Sequence, residues 1–247
     1  MTSIGRPLPI ETRTLTAPPG RQLAAGRDAT IYDLDHDRIL RRTRDGRCMR
    51  HEAEVMEHVR GAGYPVPRVY RVGRGEIEMD RVDGLTMLAD LLRHPWRLSR
   101  HARLLANLHE RLHQLPPPPT IRPGPVAGVA LVHLDLHPGN IILGPRGPVV
   151  IDWPHAALGC PLSDIAFTWT SLACFEHDAT GLIARLADRF RAVFLDCFLT
   201  ASCSPAAVRP LLPAMVHYRL SHPQRRRNVR AAEQLSLERL AAEATAP

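Results

Sequence analysis

A change in hydrophobic pattern at Asp83-Gly84 divides the sequence and limits the folds open to it. Before this turn, short apolar runs are separated by turn-forming residues, which is typical of strands. After it, apolar residues recur at three- and four-residue steps, the period of a buried helix face. The sequence therefore predicts a strand-rich segment and a larger helical segment, joined by a short connection near residues 80–84.

The predicted elements follow this division. The first segment is expected to contain strands at 22–25, 30–34 and 38–42, a helix over CMRHEAEVMEHVRGAG, and strands at 69–72 and 77–79. The second is expected to contain helices between 87 and 115 separated at Pro95, a hairpin of strands 141–143 and 148–151 around GPRG, and helices from about 160 to 240. We predict a flexible leader at 1–20 and two domains, 21–83 and 84–247, of class α+β.

Composition excludes several classes of protein. Apolar residues make up 45% of the 247 residues, enough for a packed core, and no run is long enough to predict a membrane span. The N-terminal stretch lacks the apolar region of a secretory signal, so we expect a cytoplasmic location. The five cysteines form no C-x-x-C pair, which argues against a disulfide framework or a zinc site.

The net charge is +7, and all 32 basic residues are arginine. This charge has two interpretations, which are compositional drift towards arginine and binding to a polyanionic partner. The densest cluster, Arg225–Arg227 with Arg230, has no interleaved aromatic residues, which favours a solvent-exposed helix face. Nucleic acid is therefore an unlikely partner.

The motif HLDLHPGN, residues 133–140, carries the chemistry. His133, Asp135 and Asn140 give the spacing H-x-D-x-x-x-x-N, and Asp152 ends the second strand of the following hairpin. One carboxylate and one amide oxygen suit Mg²⁺ when phosphate and water supply its other ligands. The upstream carboxylate is then free to meet an acceptor hydroxyl, as phosphoryl transfer requires. The alternative for Asp152 is a cap before a helix.

Two histidine patterns allow a different interpretation. His133, Asp135 and His137 place possible metal ligands on one side of an extended loop, but the sequence offers no further ligand set at a suitable spacing. His109 and His113 lie one helical turn apart, and ANLHERLHQL offers them no third ligand. We interpret His109 and His113 as structural residues.

The loop HLDLHPGN, the strand end VVIDW and the helix start PLSDIAF resemble the aminoglycoside phosphotransferase family, which also includes choline and homoserine kinases. The resemblance covers about residues 20–200. It implies a bilobal protein-kinase-like fold, with a small antiparallel-sheet N-lobe carrying one helix and a larger, mostly helical C-lobe. It further implies that Asp135 is the catalytic base, that Asn140 and Asp152 hold Mg²⁺, and that His133 and Asp164 support the catalytic loop.

The same resemblance assigns nucleotide-binding residues in the first lobe. Gly26 corresponds to the hairpin that covers the phosphates, and the backbone at Asp80 and Val82 corresponds to the hinge that bonds the adenine. Arg41 stands where the family has a lysine on the phosphates, and Glu52 matches the helix glutamate that pairs with that lysine. Arginine is larger and forked, so this substitution is a departure from the family pattern.

These features predict a kinase that transfers the γ-phosphoryl group of ATP or GTP to a hydroxyl of a small molecule. From Cys160 to the end the chain has eight acidic residues and ten arginines, which does not favour a polycationic acceptor. We therefore expect a neutral, zwitterionic or weakly basic acceptor rather than a classical aminoglycoside. The alternatives are an aminoglycoside-type antibiotic kinase and a nucleotide-binding regulator without catalysis. The sequence does not indicate the oligomeric state.

Overall fold

The computed structural model describes residues 20–26, 29–34, 37–173, 181–221 and 231–245. Residues 1–19 of the predicted leader and the predicted arginine cluster lie outside them. The chain forms two compact units. Unit 1 comprises Met1–Leu85, Pro118–Ile121 and Ile141–His155, and unit 2 comprises Thr86–Pro117, Arg122–Asn140 and Ala156–Pro247. The division differs from a single boundary at 83–84, because the segment from Ile141 to His155 returns to unit 1.

The described residues form ten strands and eight α-helices. The strands are β1 (Gln22–Ala25), β2 (Ala29–Leu34), β3 (Arg38–Thr43), β4 (Val69–Gly73), β5 (Glu76–Asp80), β6 (Leu85–Thr86), β7 (Ala130–Val132), β8 (Ile141–Gly144), β9 (Gly147–Val150) and β10 (Ala157–Gly159). The helices are α1 (Arg50–Gly61), α2 (Met87–Arg93), α3 (Leu98–His113), α4 (Pro161–Ala173), α5 (Gly181–Ser202), α6 (Pro205–Val208), α7 (Leu212–Ser221) and α8 (Ala231–Thr245).

Unit 1 is built on an antiparallel sheet with the strand order β1-β2-β3-β5-β4. The predicted strands of this region and the helix between them are confirmed. Strand β3 is central, and Arg41 lies opposite Ile31 on one side and Ile77 on the other. Because successive side chains of a strand point to opposite faces, Arg41 shares a face with Ile77, whereas Arg42 lies on the other face.

Helix α1 supplies the interior of unit 1. The apolar spacing predicts its buried side, and Ala53, Met56 and Val59 are indeed buried. Glu52 lies beside this stripe and is only 3% exposed, although a glutamate is rarely buried without a partner. The burial of Glu52 therefore requires a cation within unit 1.

Strand β5 alternates polar and apolar residues, as a strand with one exposed face would, yet both of its faces are buried. Ile77 and Met79 point to one face, whereas Glu76 and Glu78 point to the other. Arg42 covers Glu76 with a 2.7 Å contact between its Nε and the Oε1 atom. Paired arginines thus replace apolar side chains as the cover of these glutamates.

The hairpin β8–β9 completes unit 1, and Ile141 lies opposite Val150. The Val150 N–H donates to the carbonyl of Pro65 over 2.8 Å. Trp153 follows the hairpin, is fully buried, and meets the Tyr64 ring edge-on at 5.7 Å between centroids. These contacts attach a segment that is distant in sequence to the same core as α1.

Unit 2 is mainly helical, and its main helices were predicted. Pro95 does separate two helices, α2 and α3, and lies at the start of a short 3₁₀ turn, Pro95–Arg97. The antiparallel pair β7–β10, with Val132 opposite Ala157, was not predicted. Each of these strands has only three residues, which is too short for a local pattern. This pair fixes the start of the loop HLDLHPGN.

Helix α3 buries eight residues along its inner side, and two of them are the histidines His101 and His109. His101 Nε2 contacts Oδ2 of the buried Asp90 over 2.7 Å.

In the described part of the chain, no single helix is long and apolar enough to cross a membrane, although Arg185–Ser202 and Pro205–Ser221 pass that criterion together as a pair bent by 92°.

Candidate active site

In unit 1, Arg41 lies between two carboxylates. One Nη atom of its guanidinium contacts Oε1 of Glu52, and the other contacts Oδ1 of Asp152 over 2.7 Å. The side chains of Arg41 and Glu52 are 11% and 3% exposed, whereas that of Asp152 is 35% exposed. The structure thus contains the predicted Arg41–Glu52 pair and adds Asp152 to it.

Burial and charge oppose one another in this cluster. Burial alone would lower the pKa of Arg41, but the charges of Glu52 and Asp152 outweigh it and raise that pKa above its usual value. Burial raises the pKa of the Glu52 carboxyl despite the neighbouring Arg41. Among the described residues, Glu52 Oε2 has no hydrogen-bond partner. Glu52 therefore depends on Arg41 for its charge.

Asp152 is held in an unusual backbone conformation. Its φ is +68°, in the left-handed region that non-glycine residues rarely adopt. The next residue, Trp153, donates its backbone N–H to Glu52 Oε1 over 3.3 Å and its indole N–H to the carbonyl of Val150 over 3.1 Å. These two bonds fix the chain on the C-terminal side of Asp152, so its carboxylate points towards Arg41.

The other predicted nucleotide-binding residues also belong to unit 1. Gly26 directly follows β1, and its N–H donates to the carbonyl of Ala29 over 2.9 Å. The Asp80 carboxylate accepts a 2.8 Å hydrogen bond from the Tyr70 hydroxyl. Within the described ranges, no protein acceptor is bonded to the Val82 N–H. Val82 thus offers a backbone donor, while the Asp80 side chain is engaged.

In unit 2, the loop HLDLHPGN is held by its own backbone and by α4. Asn140 donates its side-chain amide to the carbonyl of Asp135 over 2.9 Å. Asp164, fully buried near the start of α4, accepts the backbone N–H groups of His133 and Leu134 over 3.0 and 2.7 Å. The His133 side chain is also fully buried. Asp135 therefore lies between two fixed segments of the loop.

His137 is the neighbour of Asp135 within the loop. Its Nδ1 accepts the Gly139 N–H over 3.0 Å, so the ring proton of the neutral imidazole lies on Nε2. Nε2 lies 3.9 Å from Oδ1 of Asp135, whose side chain is 19% exposed. Among the described residues, His133, Asp135 and His137 do not bring three ligand atoms together as a metal site would need.

Three residues beneath the loop were not predicted to act together. His109 Nδ1 and His113 Nε2 lie 3.5 and 3.0 Å from Oδ2 of Asp164. The segment ANLHERLHQL itself offers no third potential metal ligand, but Asp164 brings one from another helix. The interpretation of His109 and His113 as structural residues stays a prediction. Thr168, one turn beyond Asp164, contacts His109 as well. The four-residue spacing along both helices is the only local signal of this arrangement.

The charge of Asp164 is maintained by its neighbours. Burial alone would raise the pKa of Asp164, but the adjacent His109 and His113 imidazoles lower it well below its usual value. Burial lowers the pKa of His109, and the neighbouring Asp164 carboxylate opposes this effect. Asp164 is therefore an ionised acceptor for the loop amides.

The family described as "Phosphotransferase enzyme family" matches residues 19–128 and 126–205. No curated protein matches the chain. A choline/ethanolamine kinase family protein from Mesorhizobium loti is 16% identical, with 94% of this chain and 90% of that chain covered and a TM-score of 0.63. The aminoglycoside phosphotransferase APH(4)-Ia is 14% identical, with 92% and 94% covered and a TM-score of 0.64. These similarities confirm the predicted α+β, protein-kinase-like fold.

Proposed function

The chain belongs to the phosphotransferase enzyme family, and on this premise we propose that it transfers the γ-phosphoryl group of ATP or GTP to a hydroxyl of a small molecule. The observation that carries the proposal is that the two matched ranges include every residue predicted for the nucleotide, the metal and the catalytic base. Asp135, Asn140 and Asp152 are all retained, which favours an active enzyme over a nucleotide-binding regulator.

Arg41 is proposed to neutralise the nucleotide phosphates in place of lysine. A guanidinium has five N–H donors, and Glu52 and Asp152 each engage one Nη atom, so donors remain for phosphate oxygens. Its fork suits a phosphate bidentately, whereas a lysine acts as a point charge. Gly26 is proposed to lie over the phosphates, and the backbone of Asp80 and Val82 to bond the base.

Asn140 and Asp152 are proposed to hold Mg²⁺. The side-chain amide nitrogen of Asn140 is used by the Asp135 carbonyl, which leaves Oδ1 as the atom for a metal. Asp152 uses Oδ1 for Arg41, which leaves Oδ2. Hard oxygen donors of this kind fit Mg²⁺. When bound, the ion would neutralise charge on the phosphates during transfer.

Asp135 is proposed to orient the acceptor hydroxyl and to take its proton. The hydroxyl oxygen attacks the γ-phosphorus, the bond from that phosphorus to the bridging oxygen breaks, and the nucleoside diphosphate leaves. The proton passes to the Asp135 carboxylate. Positioning supplies most of the catalysis, because the protein itself forms no covalent bond with the phosphoryl group.

The acceptor is proposed to be a neutral, zwitterionic or weakly basic alcohol. The helical region from Cys160 onward carries more arginine than acidic residues, which disfavours a polycation. One similar structure, 15% identical with a TM-score of 0.52, is amicoumacin kinase hAmiN with AMP-PNP, Ca²⁺ and its ligand. That neighbour is a kinase solved with a nucleotide analogue and a small molecule, which supports a nucleotide donor and a small-molecule acceptor in general.

The test is nucleotide consumption by the purified protein with Mg²⁺ and either ATP or GTP, across a panel of hydroxylated metabolites and antibiotics. We expect turnover with a non-polycationic alcohol, and its loss in Asp135→Asn. Asp188→Asn is the matched control, because Asp188 is an exposed residue of α5 paired with Arg191. Efficient phosphorylation of polyamine antibiotics would contradict the proposed acceptor class. Nucleotide binding without turnover on the whole panel would favour the regulator.

A further inference from the structure

Two helices of unit 2 carry matching pairs of polar residues one turn apart. His109 and His113 lie on α3, and Asp164 and Thr168 lie on α4. His113 contacts Asp164 and His109 contacts Thr168, over 3.0 and 3.1 Å. Residues spaced by four along a helix share a face, so the two pairs form parallel bridges between the helices.

Each α4 residue in turn bonds the backbone of the loop on a different side of Asp135. Asp164 accepts the N–H groups of His133 and Leu134, which precede Asp135 in the chain. Thr168 donates its hydroxyl to the carbonyl of Leu136, the residue after Asp135, over 2.7 Å. The backbone of the proposed catalytic base is thus fixed on both sides by side chains of a single helix.

The direction of the Thr168 bond determines the role of His109. The Thr168 hydroxyl lies 2.7 Å from the carbonyl of Leu136 and 3.2 Å from the carbonyl of Asp164, and neither carbonyl has a proton to give, so the one hydroxyl proton of Thr168 is donated to them, over the shorter distance to Leu136. The Thr168 oxygen can then only accept from the imidazole. His109 Nε2 therefore donates to Thr168, and the exposed fraction of His109 is only 1%.

The direction of the His113 bond follows from Asp164. An ionised carboxylate only accepts hydrogen bonds, so His113 Nε2 donates to Oδ2. The same oxygen accepts the His133 N–H, and Oδ1 accepts that of Leu134. Leu134 has a φ of +58°, a conformation that its side chain disfavours. The loop therefore needs these bonds to keep its shape.

We propose that His109 and His113 are positioning residues, which hold Asp135 in place through Thr168 and Asp164. Neither histidine contacts the proposed reacting atoms. His113 orients the carboxylate that bonds the loop before Asp135, and His109 orients the hydroxyl that bonds the loop after it. Their effect on catalysis rests on the proposed function, whereas their effect on the loop backbone does not depend on any reaction.

Paired substitutions distinguish the effect of losing the hydrogen-bond donor from the effect of changing the size of the side chain. The amide nitrogen of glutamine can replace the Nε2–H donor of histidine, whereas leucine has no donor. The variants are His113→Leu and His113→Gln, with His109→Leu and His109→Gln for the second bridge. The matched control is His101→Leu, because His101 is another buried histidine of α3 and its Nε2 bonds a buried aspartate, Asp90.

The first readout is amide hydrogen exchange of the full-length protein alone, followed in a peptide covering residues 130–136. We expect His113→Leu to accelerate exchange of the His133 and Leu134 amides by about tenfold or more, since their common acceptor is released. His113→Gln is expected to restore slow exchange. His101→Leu is expected to leave this peptide unchanged, even where it lowers the melting temperature.

The second readout is the pair of kinetic constants kcat and KM, measured with the acceptor that the test of the proposed function identifies. We expect each leucine variant to lower kcat by about tenfold to a hundredfold, with little change in KM for the nucleotide, and each glutamine variant to recover most of it. Equal acceleration of exchange in His113→Leu and His101→Leu, or no recovery with glutamine, would overturn the inference. If no acceptor is ever phosphorylated, the exchange result still decides the inference for His113, and with it the claim that this helix pair fixes the loop.

Discussion

The buried pair of Arg41 and Glu52 makes a quantitative prediction about stability. Replacement of Arg41 by methionine keeps much of the side-chain stem but removes the cation. Glu52 is 3% exposed, and its Oε2 atom has no partner among the described residues, so the variant leaves an uncompensated carboxylate in the interior. Breaking a buried pair in this way costs about 3–5 kcal/mol.

Protonation of Glu52 sets an upper limit on that cost. The ordinary pKa of a glutamate is near 4.5, and each pH unit corresponds to about 1.36 kcal/mol, so protonation at pH 7 costs about 3.4 kcal/mol. At pH 5 the same limit is about 0.7 kcal/mol. A group whose pKa is raised on folding stabilises the fold below its unfolded pKa and less as the pH rises. The loss of stability in Arg41→Met should therefore grow from pH 5 to pH 7.

The assay is urea unfolding of the wild type and Arg41→Met at several pH values between 5 and 7. Arg60→Met is the control, because Arg60 is exposed and pairs with Glu57 along α1, and such helix pairs contribute about 0.3–0.5 kcal/mol. The double variant with Glu52→Gln removes the carboxylate and should make Arg41→Met much less costly. A cost that is the same at pH 5 and pH 7, or unchanged in the Glu52→Gln background, would refute the reasoning.

Three further outcomes are expected. The hydrogen bond from His101 lowers the pKa of Asp90 to about 2, so the ionised Asp90 should stabilise the wild type above pH 4. In acid unfolding, the stability difference between wild type and Asp90→Asn should therefore disappear as the pH falls towards 2. In thermal unfolding, Gly63→Ala should cost about 1–2 kcal/mol for its positive φ alone, because the added Cβ meets open space. Gly75→Ala should cost about 1–3 kcal/mol more than that, because the added Cβ also meets backbone at 2.8 Å. MgATP at a hundredfold excess over its Kd should stabilise the protein by about 2.7 kcal/mol in thermal shift, and this gain should be lost on chelation and in Asp152→Asn.

Local pattern was sufficient for most of the elements and for part of the site. Alternation along β3 places Arg41 and Arg42 on opposite faces of the sheet, and they pair with different carboxylates, Glu52 and Glu76. The loop HLDLHPGN and Asp152 were found from residue types and spacing. Their proposed roles in binding and catalysis remain predictions.

Long-range contacts account for what the pattern did not reveal. The strands β7 and β10 stabilise one another, and neither has a signal of its own. The sequence of β5 alternates polar and apolar residues, which predicts one exposed face, but Glu76 and Glu78 are buried because arginine side chains pair with them. Asp164 joins His109 and His113 from a different helix, 51 residues beyond His113. No window of the sequence contains such a contact.

The return of the segment from Ile141 to His155 into unit 1 has a consequence for the order of folding. Arg41 and Asp152 are 111 residues apart along the chain, and Tyr64 packs on Trp153. Domains commonly fold as the ribosome delivers them, from the N-terminus onward. Here the first unit would still lack part of its core when its first 85 residues have emerged, and it would be completed only after much of the helical chain has been made. We therefore expect nascent chains that stop at residue 85 to depend on chaperones, and those that extend past His155 to become resistant to protease.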